Sequence, residues 1–264
     1  MLTVVKNQLR VNMLSIKYAL MREMLNKVSF FTNIIFMILN NASFIIQWVI
    51  IYSIKDSIGG YELKDVMLLW GMAASTYGVS RFFFKNAFSI SETIINGKLD
   101  AYLVQPKDVL LSAITGDVGV SALGDLLYGY IMLFIYGITL KNALMFTLFS
   151  VCGGLILVSI GVILGSLSFW FRKSDMISDT GNSIMVNFAS YPSGIFKGVA
   201  KVLLYTILPV GVYCFMPVDV IRNFNIYDFF IIIVTSITFI DLAYVVFYKG
   251  LKRYSSSNLM ISRI

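Results

Sequence analysis

Three carboxylates stand where the chain is otherwise apolar. Asp117 and Asp125 lie two helical turns apart with Ser121 between them, and Asp241 interrupts another long apolar stretch. Charged groups at bilayer depth are costly and face a bundle interior or water, so these residues could relay protons or line a path; they could equally bond to neighbouring helices. The sequence has no histidine, and Cys152 and Cys214 sit in apolar runs without a partner at metal-ligand spacing. They read as two core cysteines, with no basis for a zinc site or a disulfide framework. No glycine-rich loop ends in Gly-Lys-Ser or Gly-Lys-Thr, so the chain lacks that phosphate cradle, and if ATP powers a transport step another subunit supplies it.

The elements that position these residues are set by composition. The chain has 264 residues, 58% hydrophobic and 13% charged, about half the charged fraction of a soluble domain. Residues 30–54 and 142–171 contain no charge, and each run exceeds the ~20 residues a helix needs to cross a bilayer. Clear spans are 30–54, 66–84, 109–137, 143–171 and 226–248, with Met176–Pro192 and Val202–Val218 as marginal candidates. Segments 1–29, 81–108, 172–173 and 249–264 carry five, four, two and four Lys or Arg, together 15 of the 21. With the amino terminus inside, that bias requires one net crossing between 174 and 222. The expectation is an all-α membrane protein of six spans (30–248) with both termini cytoplasmic. One marginal segment crosses, and 195–222, with Pro209 and Pro217, forms a re-entrant outer hairpin.

Residues 1–29 carry Lys6, Arg10, Lys17, Arg22 and Lys27 and show no cleavage pattern of a secretory signal. Leu9, Met13, Ile16, Leu20 and Met24 recur at helical spacing, which predicts an amphipathic helix along the inner membrane face. The formal charge of +7 is scattered along segments flanking apolar runs, the pattern of bilayer orientation rather than of nucleic-acid binding. Gly153, Gly161 and Gly165 lie on one helical ridge, a mark of close helix packing. Residues 249–264 form a basic tail.

The loop 85–108 contains ETIINGKLDAYLVQP, Glu92 to Pro106. Ser89 and Glu92 have capping-box spacing and Gly97 is placed to end the short helix they start. Leu99, Tyr102 and Leu103 then fall at i, i+3 and i+4, flanked by Lys98, Asp100 and Lys107, and Pro106 stops the turn. A short helix with an apolar patch and a charged rim suits docking into a partner; resting on the membrane surface is the plainer alternative.

INGKLDAYLVQP, SALGDLLYG at Ser121–Gly129, FASYPSGIF at Phe188–Phe196 and YKGLKRYSSSN at Tyr248–Asn258 resemble, in the same order, the permeases of type-2 ATP-binding cassette exporters of bacteria. The resemblance implies a multi-pass half-transporter in the cytoplasmic membrane that has no cofactor of its own. It pairs with a second permease, identical or related, and with two cytoplasmic ATPases that bind ATP and magnesium. It also implies that Gly97, Lys98, Leu99, Asp100, Tyr102, Leu103 and Pro106 form the coupling helix that enters the ATPase, and that a re-entrant hairpin precedes the last span. The tail reads Tyr254-Ser255-Ser256-Ser257-Asn258, without the acidic residue that such tails often carry. An apolar, aromatic-rich wall suits amphipathic cargo: a peptide, a lipid or a hydrophobic drug. Two other classes compete: a secondary transporter relaying protons through Asp117, Asp125 and Asp241, and a non-transporting membrane scaffold. An ATPase that co-purifies separates the first reading from both.

Overall fold

The structure, a computed structural model, describes residues 2–171 and 175–255. The basic pair Arg172 and Lys173 and the tail residues Ser256, Ser257 and Asn258 lie outside the described residues. The helices, in chain order, are α1 (Leu2–Glu23), α2 (Lys27–Tyr52), α3 (Leu63–Phe83), α4 (Ile90–Ile95), α5 (Asp100–Leu103) and α6 (Val109–Ile114). They continue with α7 (Ser121–Gly137), α8 (Leu140–Ser166), α9 (Asp175–Ala189), α10 (Gly198–Thr206), α11 (Met216–Arg222) and α12 (Ile226–Leu251). Among the described residues the only extended pairing is one bridge between Ile58 and Tyr61. The chain is an all-α membrane protein: α2, α8 with its following turn, and α12 are long and apolar enough to cross a bilayer, and α10 with α11 makes a further bent pair.

Local signals start the long helices. The Asn26 side chain accepts from Ser29 N–H at α2, Thr139 from Asn142 N–H at α8 and Asn225 from Tyr227 N–H at α12. Glu62 and Asp65 form a reciprocal capping box at α3, satisfying backbone donors that a helix start leaves open. α3 packs along α7 and α8, α7 along α2, and α8 along α12. The apolar window of α8 is 67% buried, against 22% in α2 and 17% in α12. α8 is therefore the core helix, while α2 and α12 turn apolar faces outward, as helices bordering lipid do.

Glycines set the closest approaches. A side chain at Gly153 would meet Thr76 at 2.9 Å, one at Gly161 would meet Phe88 at 3.1 Å, and one at Gly165 would meet Ile90 at 3.0 Å. The ridge read from the sequence is thus the seat of α3 and of the segment 87–91 on α8.

The expected continuous span 109–137 is corrected. α6 ends at Ile114, the chain breaks over 115–120, and α7 starts at Ser121. In the break Gly119 N–H donates to Arg81 O, and a Cβ on Gly119 would lie 2.8 Å from that oxygen. Glycine permits this approach, and the Asp117 carboxylate holds the next N–H, of Val118, at 2.9 Å. Both contacts compete with helix continuation. The 195–222 region is helix–break–helix: α10 and the helical stretch Gly211–Arg222 are bent by 77°, with Pro209 in the break.

α1 is a helix whose Leu9 and Met13 remain 56% and 72% exposed. Its protein-facing side is Gln8, Asn12 and Ala19, and Leu20 packs against Phe30, Ile34 and Val120, so of the expected stripe Leu9, Met13 and Met24 are left free.

Candidate functional site

Two features could act: a cavity inside the bundle, and the segment 96–108 at one end. α2 brings Asn40, Phe44, Gln47 and Ile51 to one face, the i, i+4, i+7, i+11 spacing of a single helical stripe. Opposite stand Trp70 and Tyr77 of α3, Asp125 of α7, Asn187 of α9 and Ser190 just past it, enclosing a cavity of about 610 Å³. Asp125 is only 4% exposed. Asn41 Nδ2 donates to its Oδ1 at 2.6 Å, while Oδ2 has no partner among the described residues, nor has the buried Trp70 Nε1. The Trp70 ring stacks on Phe44 at 5.2 Å, and Trp48 meets Tyr191 edge-on at 6.2 Å.

The rim is polar. Asn40 and Gln47 are exposed near the middle of α2, and Thr180, Ser183 and Asn187 form an exposed stripe on α9. Lipid tails cannot hydrogen-bond these groups, so this mouth calls for water or another protein surface.

The second feature is rooted at Asp108. Its Oδ1 accepts from Leu111 N–H at 2.7 Å and caps α6. Its Oδ2 accepts from Tyr248 of α12 at 2.8 Å, and its own N–H donates to Gln8 Oε1 of α1 at 3.0 Å. Nearby, Asp117 holds Arg22 Nη2 at 2.5 Å and Lys85 Nζ at 2.8 Å. Partial burial raises the Asp117 pKa, but the Lys85 ammonium, the Val118 N–H and the Arg22 guanidinium outweigh it and hold the carboxyl below the usual range. Tyr254, just past α12, is pushed up to about 12 by burial and by the Asp100 carboxylate beside it. The segment 96–108 is thus held by α1 on one side and by the end of α12 on the other.

The family model described as ABC-2 family transporter protein matches residues 37–258. The chain belongs to the ABC-2 transporter family. It is a permease component of an ABC transporter, a transport component and not itself an ATPase, and the family associates with ABC ATPase components. The match runs from the middle of α2 to just past α12, taking in the cavity and the rooted segment. A comparison with curated proteins yields no match.

Within the permease, the residues singled out by spacing separate. Gly97 ends α4 in the left-handed region at φ +68°, as expected. Ser89 and Glu92 do not form a capping box: the Ser89 hydroxyl donates to Asn86 O at 3.3 Å, and Glu92 pairs with Lys98 at 2.8 Å. Leu99 is corrected from patch to anchor, being completely buried, while Leu103 is 41% and Val104 84% exposed. Tyr102 is half-buried against Gly116, and Asp100 opens α5. Pro106 is exposed. Asp117 lies in the break rather than on α7 and is paired, Ser121 is half-buried at the first turn of α7, and Asp241 is exposed on α12. Only Asp125 faces the cavity.

Spacing missed Asp108, Gln8, Tyr248, Asn41 and Trp70. Asp108 could have been found, because an aspartate three residues before the first helical N–H it binds is an N-cap signature. The pair Asn40-Asn41 within 25 uncharged residues was a second signal, since amides at that depth need partners. Nothing local marks Gln8 or Tyr248 as its partners.

Proposed function

We propose that this permease is the membrane half of an ABC exporter. With a second permease, identical or related, it would form the path of an amphipathic cargo, a peptide, lipid or hydrophobic drug. Two cytoplasmic ATPases that bind ATP and magnesium would drive it. The observation that carries this reading is the root at Asp108: a segment with an exposed apolar tip, Leu103 and Val104, is tied to α1 and α12 at one residue. Force applied at the tip therefore reaches an end helix and a bundle helix together.

In this reading α2, α3, α7, α8, α9 and α12 are the six crossings of a bacterial cytoplasmic membrane, with both termini inside. α1 lies in the inner interface with Leu9 and Met13 toward lipid, and the bent pair α10–α11 is the re-entrant outer hairpin. Gly97, Lys98, Leu99, Asp100, Tyr102, Leu103 and Pro106 make up the coupling segment, Leu99 as its internal anchor. The polar rim of Asn40, Gln47 and Asn187 faces the second permease across a watered path. ATP drives transport by favouring one arrangement of the pair over the other. The transport reading is favoured over a proton relay because the three carboxylates stand apart: Asp117 is paired with Arg22 and Lys85, Asp125 lines the cavity, and Asp241 is exposed on α12.

The test is purification through a tag on this chain, followed by measurement of bound ATPase and of cargo-stimulated ATP hydrolysis in lipid nanodiscs. Co-purification of an ATPase at a fixed ratio is expected. A chain that is folded and isolated without any ATPase, from cells that express one beside it, would overturn the reading.

A further inference from the structure

We infer that the cavity between α2, α3, α7 and α9 binds an amphipathic monovalent cation, its positive group toward the Asp125 carboxylate and its apolar body among Phe44, Trp48 and Trp70. The inference deepens the transport reading and takes its relevance to cargo from it. Its basis is the charge of the lining: among the described residues Asp125 is its one carboxylic acid, and no lysine or arginine lines it. Arg81, one turn beyond Tyr77 on α3, lies behind the lining, its guanidinium 3.9 Å from the Phe88 ring centroid and 5.2 Å from that of Tyr77.

The carboxylate is incomplete as it stands. One oxygen takes the Asn41 amide at 2.6 Å and the other has no partner among the described residues, at a depth where an unpaired charge is costly. A neutral ligand could supply at most a hydrogen bond, and an anion would meet repulsion. A cation supplies the missing charge. The stacked Trp70 and Phe44 and the Trp48–Tyr191 pair offer ring faces that attract cations and flat apolar area for their bodies. About 610 Å³ lies within the 300–1,000 Å³ typical of sites for drug-sized molecules. The exposed amides of Asn40, Gln47 and Asn187 offer a charged head polar contacts at the mouth.

Tetraphenylphosphonium and tetraphenylborate share shape and size and differ in sign, which makes them the probes. Saturable binding is measured on the full chain in lipid nanodiscs, with the ATPases that accompany it and without nucleotide. The cation is expected to bind at least tenfold more tightly than the anion. Asp125→Asn keeps a polar group beside Asn41 and should weaken the cation at least tenfold with unchanged thermal stability. Asn187→Lys, on the exposed rim, adds a positive charge without touching the core; it should weaken the cation and strengthen the anion, and it decides the matter if Asp125→Asn does not fold. Asp117→Asn, outside the cavity, should leave both affinities unchanged. Equal affinity for the two ions, binding of neither because lipid fills the cavity, or a folded Asn187→Lys with unaltered cation affinity would each overturn the site. Because binding is read without nucleotide, loss of the ATPase with retained cation binding would sink the transport reading alone.

Discussion

The Tyr248 hydroxyl donates to Asp108 Oδ2 at 2.8 Å, joining residues 140 positions apart. The bond fastens the end of α12 to the first turn of α6, on the carboxylate that also caps that turn. Tyr248→Phe deletes the donor and leaves the ring in place. A lost hydrogen bond to a charged acceptor costs about 1.5–3 kcal/mol, a change that a membrane-protein melting curve resolves. If the bond transmits force, cargo-stimulated ATP hydrolysis should fall while the amount of bound ATPase stays at the parent level. Equal loss of bound ATPase and of hydrolysis would instead assign Tyr248 to docking.

Leu99 and Val104 should separate stability from docking. Leu99 is completely buried and Val104 is 84% exposed. Leu99→Ala removes buried methylenes, so stability should drop by about 2–5 kcal/mol. Val104→Glu and Leu103→Glu should leave the melting temperature unchanged and weaken ATPase binding at least about a hundredfold, because each puts a charge where an apolar contact would form. Tag pull-down and thermal melting on the same preparations read both effects. Lys98→Glu should do less than either, since its pair with Glu92 is exposed and such pairs contribute ~1 kcal/mol or below.

Asp117 should make the seating of α1 acid-labile. Its carboxyl is held below the usual range by Lys85, Val118 N–H and Arg22 against the opposing effect of partial burial. The folded chain therefore gives up this proton more readily than the unfolded chain. The stabilisation is complete above the ordinary aspartate value of about 4 and is lost as pH falls through the lowered folded value. Spin labels on α1 and α7 should report a fixed distance at neutral pH and a broadened one in acid. In Asp117→Asn the distance should be broad at every pH; a sharp distance in that variant would remove Arg22 and Lys85 from the anchoring of α1.

Thiol labelling tests the orientation without engineering a background. Cys152 and Cys214 are both buried, so the parent chain should be silent to an impermeant reagent. Lys141→Cys, at the start of α8, should react in intact cells, and Lys98→Cys should react only after permeabilisation. Labelling of Lys98→Cys in intact cells would invert the proposed topology.

Arg222 closes the opposite end of the molecule. Its Nε lies 3.0 Å from Asp65 Oδ1, Nη2 donates to Gly60 O at 3.0 Å, and the guanidinium covers the Tyr61 ring at 4.8 Å. Tyr61 in turn donates to Asp219 at 3.0 Å. Arg222→Ala strands the buried Asp65 and should cost about 1–3 kcal/mol or more. If the cluster is a closed exit, the variant should also leak a preloaded small dye from proteoliposomes without ATP. Arg222→Lys should restore the pair with Asp65 but not the planar contact with Tyr61, and so only part of the effect.

Long apolar periods made the helices legible, because a span has to be apolar over its whole length whatever it packs against. The break at 115–120 was not, although Gly116, Asp117 and Gly119 were visible, because hydropathy cannot distinguish a turn beneath the membrane from a bend within it. The decisive contact, Gly119 N–H to Arg81 O, is tertiary. At the docking segment, spacing put Leu99, Tyr102 and Leu103 on one face but could not say which side of it pointed inward; the seat of 87–91 on α8 turns Leu99 into the protein. Asp125 was legible as an oddity, but its partner Asn41 lies 84 residues away and pairs with it only because Gly124 lets α7 approach Ile34 and Met37 of α2.

Gly161 and Gly165 bring Phe88 and Ile90 against the α8 backbone with no room for a single added carbon. Residues 87–91 are thereby committed to one register, whereas Val104 and Gln105, beyond Gly97, are exposed. If the segment docks an ATPase as proposed, a change of ATPase partner can be written at the tip without disturbing its base. Exchanging residues 98–105 between two such permeases should therefore redirect which ATPase each recruits while both keep their own cargo.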